Sequence, residues 1–171
     1  SAAMMHASAD FGYAAGQGWQ AVDLPYVFGG LSFTAALVEA DAPLPSADEV
    51  FAALAGRPVQ LSFPRFDIET SVELSRVLEA MGMPTAFSGA ADFSGMTTAA
   101  SLTIGAVVHQ ANITVDEEGT EAAAVTSVGM MRASFMPAKT FSMVLDRPFC
   151  CAIRDDQTGA ILFMGAILDP S

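Results

Sequence analysis

The segment 117–126, Glu117-Glu118-Gly119-Thr120-Glu121-Ala122-Ala123-Ala124-Val125-Thr126, limits what this chain can fold into more than any other. It follows an alternating apolar stretch from Val107 to Val115 that reads as a β-strand. Beyond it come mostly small residues, two methionines and one arginine: Ser127-Val128-Gly129-Met130-Met131-Arg132-Ala133-Ser134. At a period of two, Thr120, Ala122, Ala124 and Thr126 share one face, and none is charged or large. Such a tract could enter a sheet as a new strand and bury that face at little cost, with Glu121 and Ser127 turned to water. Alanine's high helix propensity supports a second reading, in which Thr120 caps a helix with Glu121 in its first turn. The residues alone leave both open. Gly119 either ends the strand or acts as a backbone pivot, since glycine reaches dihedrals that other residues avoid. No proline occurs from 116 to 135, so no position there would deny a hydrogen-bond donor to an inserted strand.

At 171 residues and 52% hydrophobic, the chain has enough apolar side chains for one domain core. Nineteen acidic against seven basic residues give a net charge of −12, which argues against nucleic acid or anionic membranes as partners and serves solubility. No apolar run approaches the roughly 20 residues of a membrane helix, and no secretion signal opens the chain. Cys150 and Cys151 are adjacent; neighbours on a strand point to opposite faces, so no disulfide is expected between them and both read as small packing residues. Two histidines and two neighbouring cysteines assemble no zinc spacing. Neither metal nor cofactor is expected.

Along the chain, Phe11 to Tyr13, Trp19 to Phe28 and Leu31 to Glu39 read as successive strands, broken by Gly16, Gly18 and the Gly29-Gly30 turn. Ser46 with Glu49 makes a capping box before a short helix from Ala47 to Ala55, stopped by Gly56. Arg57 to Phe66 returns to strand. Thr70 and Glu73 form a second capping box, and Leu74, Val77, Leu78 and Met81 follow at helical spacing until Gly82. A turn of helix is expected near Thr97 to Leu102, then a long strand from Ile104 to Asp116. Thr140 to Leu145, Phe149 to Ile153 and Ala160 to Ile167 close the chain as strands. The sum is an α+β fold rich in strands, with a few short helices.

No catalytic constellation emerges. His109 alternates with Val107, Ala111, Ile113 and Val115, where a hydrogen-bonded core histidine is the expected role. His6 falls in a segment expected to fray, and no Ser-His-Asp set can be assembled. The chain does not read as an enzyme.

The tract at 117–126 resembles the reactive-loop hinge of serpins, inhibitors of serine proteases that work by loop insertion. Further segments agree in the family's order: Asp23-Leu24-Pro25-Tyr26, Leu31-Ser32-Phe33, Leu61-Ser62-Phe63-Pro64-Arg65-Phe66 and Gly82-Met83-Pro84-Thr85-Ala86-Phe87. Ala91-Asp92-Phe93-Ser94-Gly95-Met96, Val108-His109-Gln110-Ala111, Arg147-Pro148-Phe149, Ile153-Arg154-Asp155, Thr158-Gly159 and Leu162-Phe163-Met164-Gly165 continue the match, which spans essentially the whole chain.

The resemblance implies a serpin-like partial fold of antiparallel and mixed sheets with an exposed reactive loop. Residues 1–171 would be the C-terminal part of a single serpin domain, with hinge and loop at about 117–139, and a missing N-terminal half would supply most helices and the recipient strands. It implies a suicide substrate: loop cleavage, then insertion into a β-sheet. The hinge would comprise Glu117, Glu118, Gly119, Thr120, Glu121, Ala122, Ala123, Ala124 and Thr126. Arg65 would pair with Glu117 where the loop enters the sheet, an interaction worth about 0–1 kcal/mol if exposed, and His109 would sit where the family keeps a buried histidine that controls sheet opening. Counting seventeen residues from Glu117 puts the reactive bond between Ala133 and Ser134, suiting an elastase-like or subtilisin-like protease; the alternative, Arg132–Ala133, suits a trypsin-like one. Family habit implies an extracellular or secreted location. The competing expectation is a non-inhibitory or truncated remnant acting as a binding or structural module through exposed sheet edges.

Overall fold

The computed structural model describes residues 3–116 and 139–169, which form two compact units: one made of the described residues within 1–66 and 114–171, the other spanning Asp67–Ile113. In the first unit, β1 (Met4–Gly16), β2 (Trp19–Pro25), β3 (Leu31–Val38), β4 (Ala55–Pro64), β7 (Phe141–Val144), β8 (Phe149–Asp155) and β9 (Ile161–Ile167) build one seven-stranded sheet. Its order is β7-β4-β1-β2-β3-β8-β9, antiparallel except for the parallel β4–β7 pair. The mixed sheet with short helices is the α+β architecture read from the sequence.

Glycines set the hairpins. Gly18 at φ 75° turns β1 into β2, and Gly29 and Gly30 at φ 69° and 82° turn β2 into β3, a region that side chains with a Cβ avoid. This second turn cuts the strand shorter than its apolar run suggests. The Tyr26 N–H bonds the Leu31 carbonyl at 2.9 Å, so β2 ends at Pro25 rather than Phe28. At the other end β1 begins at Met4, well before Phe11, because its first ten residues pair with β4 from Met4↔Pro64 to Tyr13↔Ala55. The segment expected to fray is therefore sheet, and His6 sits within it.

One face of the sheet is built from small residues. Ala14, Ala21 and Ala36 leave room for α1 (Ala47–Ala53), whose Val50 packs among Ala14, Trp19 and Ala21, with Phe51 and Leu54 beside them. Ser46 caps α1 as expected, its hydroxyl accepting the Glu49 N–H at 3.1 Å. The helix stops at Ala53 rather than Ala55, and Gly56 lies inside β4, because pairing with β1 claims the backbone from Ala55 on. On the opposite face Phe33, Phe63, Phe66 and Phe149 form a ring cluster, with Phe63 centroids 5.7–6.2 Å from the other three. All four are at most 5% exposed.

Asp67–Ile113 holds most of β5 (Phe66–Glu73), then α2 (Ser75–Ala80), a 3-10 turn (Pro84–Phe87) and most of β6 (Val108–Val115), with β5 and β6 forming a two-stranded sheet. The strand expected to run through Phe66 is interrupted at Arg65. The Thr70–Glu73 capping box does not form: those residues belong to β5, and the Glu73 carboxylate accepts the Ser75 N–H at 2.9 Å. Sheet pairing outweighs local helix preference there. The helix ends before Gly82, at φ 111°, as its sequence indicates. No helix forms over Thr97–Leu102, where Thr97 Oγ1 instead accepts the Ala99 N–H, and β6 starts at Val108 rather than Ile104.

Candidate functional site

The tract singled out above runs between β6 and β7. Its hinge residues from Glu117 to Thr126 and the bonds around Arg132, Ala133 and Ser134 lie outside the described residues. What the structure describes is the chain on either side.

On the C-terminal side the anchorage is firm. β7 pairs in parallel with β4 from Val59↔Phe141 to Ser62↔Val144, and the Leu145 N–H continues to the Ser62 carbonyl at 3.0 Å. Met143 and Leu145 are 1% and 0% exposed. Phe141 lies 4.7 Å from the Tyr13 ring, and the Lys139 ammonium sits 5.2 Å from the Phe141 centroid. Burial raises the Tyr13 phenol above its ordinary pKa, and its hydroxyl donates to Gln20 Oε1 at 3.2 Å.

On the N-terminal side, β6 alternates between half-buried and exposed residues, and none reaches full burial. His109 is exposed, not the core residue its apolar neighbours suggested. Arg65 is exposed between β4 and β5, its backbone N–H bonded to the Ala3 carbonyl at 2.8 Å; Glu117, its expected partner, lies outside the described residues.

Two side-chain constellations were not anticipated. His6 Nδ1 lies 2.9 Å from Ser62 Oγ across the β1–β4 ladder, but among the described residues no carboxylate bonds this imidazole, so the pair lacks the third member of a hydrolytic triad. The other is a charged knot on the α1 side of the sheet. Asp23, 9% exposed, accepts the Thr34 hydroxyl and lies 3.7 Å from Arg154 Nη2. Arg154 Nε lies 3.6 Å from Asp156 Oδ1, and Ser32 donates to Asp156 Oδ2 at 2.9 Å. The guanidinium carbon lies 4.5 Å over the Phe51 ring. The one available signal was the charge of Asp23 inside an apolar strand.

The adjacent cysteines are both free. Register places Cys150 opposite Ala36 and Ala166, and Cys151 opposite Ala35 and Gly165, so the thiols face opposite sides of the sheet. Burial, with Cys150 next to it, pushes the Cys151 thiol up to about 11. We expect Cys150 alone to be alkylated at pH 8 in the native protein and Cys151 only after unfolding, as peptide mass mapping would register. No group of three His, Cys, Asp or Glu suited to a metal occurs among the described residues.

Comparison with known proteins places this arrangement. The family model described as Serpin (serine protease inhibitor) matches residues 1–170. An alpha-1-antitrypsin homolog of Cyprinus carpio is 42% identical over 113 residues, 66% of this chain and 29% of its own length. A serpin-like protein of Thermococcus kodakarensis is 36% identical across 98% of this chain and 41% of its own. Among solved structures, the thermophilic serpin tengpin in its native state aligns with a TM-score of 0.75 and 30% identity, over 97% of this chain and 46% of tengpin. The chain thus spans less than half the length of these relatives.

Proposed function

We propose, from the premise that this chain belongs to the serpin family of serine protease inhibitors, that it carries the bait and hinge of a suicide inhibitor as the C-terminal part of a serpin domain. The observation that supports this most is the unbroken family match over residues 1–170, with the proline-free, small-residue tract at 117–126 between β6 and β7.

The mechanism follows from the chemistry of the target. Its serine attacks the bait carbonyl, the leaving amine departs, and an acyl-enzyme joins the protease to the loop. The freed tract then enters a sheet as a new strand, a form of strand addition of which serpin loop insertion is an established example. About twelve inserted residues at roughly 3.3 Å each carry the protease on the order of 40 Å. Distorting its oxyanion hole stalls deacylation, since losing one donor there costs about 10²–10³ in rate. Gly119 is the pivot in this scheme, Thr120, Ala122, Ala124 and Thr126 are the buried face, and Arg65 and His109 support the point of entry. The firm β7 anchorage supports it too, because a loop must be held at its far end for cleavage to release only one side. The recipient strands come from the remainder of the domain, and the encounter is extracellular.

A second reading draws on the outer edge of the seven-stranded sheet, which β9 leaves unpaired among the described residues. In it the chain is a binding module whose loop is cut without trapping, joined to partners through the outer edge of β9, where Leu162 and Met164 are 59% and 70% exposed.

Incubation of this chain, together with the recipient strands of its domain, with trypsin, elastase and subtilisin, followed by denaturing gels and mass analysis of the released peptide, separates the two. The inhibitor reading expects an adduct that survives denaturant and a cut after Ala133; a cut after Arg132 would assign a trypsin-like target. Clean cleavage with no adduct supports the module.

A further inference from the structure

Beside the turn that joins β1 to β2 lies a cleft of about 170 Å³, on the sheet face turned away from α1. Its floor follows from register. Ala15, Gln20 and Leu37 are lateral neighbours across β1, β2 and β3, and Tyr13 stands two residues along β1, so the four side chains share one face. Tyr13 and Leu37 are buried and Gln20 is half-buried, whereas Ala15 and the rim residues Glu39 and Arg147 are exposed. Gly16 and Gly18 line the turn end and bring no side chain into it. The cleft is thus open to solvent over a covered floor, and filling it requires no movement of the protein.

The rim carries two opposite charges that do not neutralise each other. The Glu39 backbone N–H donates to the Gly18 carbonyl at 2.8 Å, and Glu39 Oε2 lies 3.6 Å from where a Cβ on Gly18 would stand. No cation pairs with Glu39 among the described residues. Arg147 enters from the segment between β7 and β8. Its ion pair among the described residues is with its chain neighbour Asp146, at 3.4 Å, and both side chains are at least half exposed, a contact of little energetic weight. On the floor, the Tyr13 hydroxyl donates to Gln20 Oε1 at 3.2 Å, which leaves the Gln20 amide hydrogens without a partner among the described residues.

Such a set selects by charge and by size. A free anion would meet Glu39 and the field of a chain of net charge −12, and a free cation would meet Arg147. A molecule bearing both a carboxylate and an ammonium answers both rim groups and has no net charge for that field to oppose. A cavity of about 150 Å³ takes a benzene molecule, so this space suits about six to ten non-hydrogen atoms. Ala15 and Leu37 offer apolar surface to a short aliphatic group.

We infer that this cleft binds a small zwitterion, an α-amino acid with an aliphatic side chain. Its carboxylate rests on Arg147, whose guanidinium fork matches it, and its ammonium rests on Glu39. The Gln20 amide supplies a further donor to the carboxylate. The site is independent of whether the loop traps a protease.

Isothermal titration calorimetry with L-leucine tests this on the chain together with the rest of its domain, in the unaltered protein and in Arg147→Gln and Glu39→Gln. Both positions are exposed and outside the core, so the sheet is retained in each variant. Saturable binding is expected below about 10 mM, weakened about tenfold by either substitution. N-acetyl-L-leucine, which lacks the ammonium, is expected to bind about tenfold more weakly than leucine and to lose nothing further on Glu39→Gln. L-leucinamide, which lacks the carboxylate, is expected to behave in the same way towards Arg147→Gln. Absence of leucine binding at about 10 mM, checked by equilibrium dialysis with radiolabelled leucine, overturns the site. Equal binding of leucine by the unaltered protein and both variants overturns it as well.

Discussion

Replacing Ala122 with proline is expected to leave loop cleavage intact and to reduce the protease adduct by about tenfold or more. Ala122 lies in the middle of the face formed by Thr120, Ala122, Ala124 and Thr126, and this face must enter a sheet in the proposed mechanism. An inserted central strand donates from its backbone on both sides; proline has no N–H and its ring opposes close lateral pairing. Insertion slows while acylation, which takes place further along at Ala133 or Arg132, does not. The acyl-enzyme then hydrolyses before it is distorted, and the inhibitor becomes a substrate. The ratio of denaturant-stable adduct to cleaved chain on a gel reads this outcome. An unchanged ratio would mean that trapping does not depend on strand insertion of this tract.

Phe63→Ala is expected to cost about 3–5 kcal/mol, the range for deleting a buried aromatic side chain. Phe63 is 3% exposed and stands at the centre of the ring cluster, edge-on to Phe33 and Phe149 and stacked on Phe66. Its removal forfeits three ring contacts and leaves a void that the sheet backbone, fixed by ladders on β1 and β7, cannot close. Against a typical domain stability of about 5–15 kcal/mol this is a large share. Urea denaturation reads it as a fall in midpoint with little change in slope. A loss below about 1 kcal/mol would mean that the cluster relaxes around the vacancy.

How much of this could be read beforehand depended on whether a signal was local. Ser46 and Glu49 announce a helix start through a hydroxyl and a backbone N–H three residues apart, and both are found in those roles. Gly18, Gly29 and Gly30 mark turns because no other residue tolerates their dihedrals so readily. Thr70 and Glu73 carry an equally good local pattern yet lie in β5, since a ladder partner 30 or more residues away cannot be seen from within the segment. The same blindness hid the first residues of β1. At the candidate site, the alternation around His109 correctly gave a strand but not its exposure, which depends on what covers the face. The charged cluster at Arg154 needed three separated segments, those of Asp23, Phe51 and Asp156, to be brought together, and no spacing in the sequence encodes that.

The position of β8 has a consequence for synthesis. It lies between β3 and β9, and its register with β3 joins Leu31 to Asp155. A ribosome therefore finishes β3 and must translate more than a hundred further residues, roughly ten seconds at ordinary rates, before the neighbour of that strand exists. During this interval β3 presents a bare edge bearing Phe33, Ala35 and Leu37, the side chains that later form the interior. Such late, distant closure makes nascent chains slow to complete their sheet and open to pairing with one another. A premature stop just after Arg147 would leave that edge permanently unsealed, so the last two strands protect the nascent chain from its own kind as much as they complete its core.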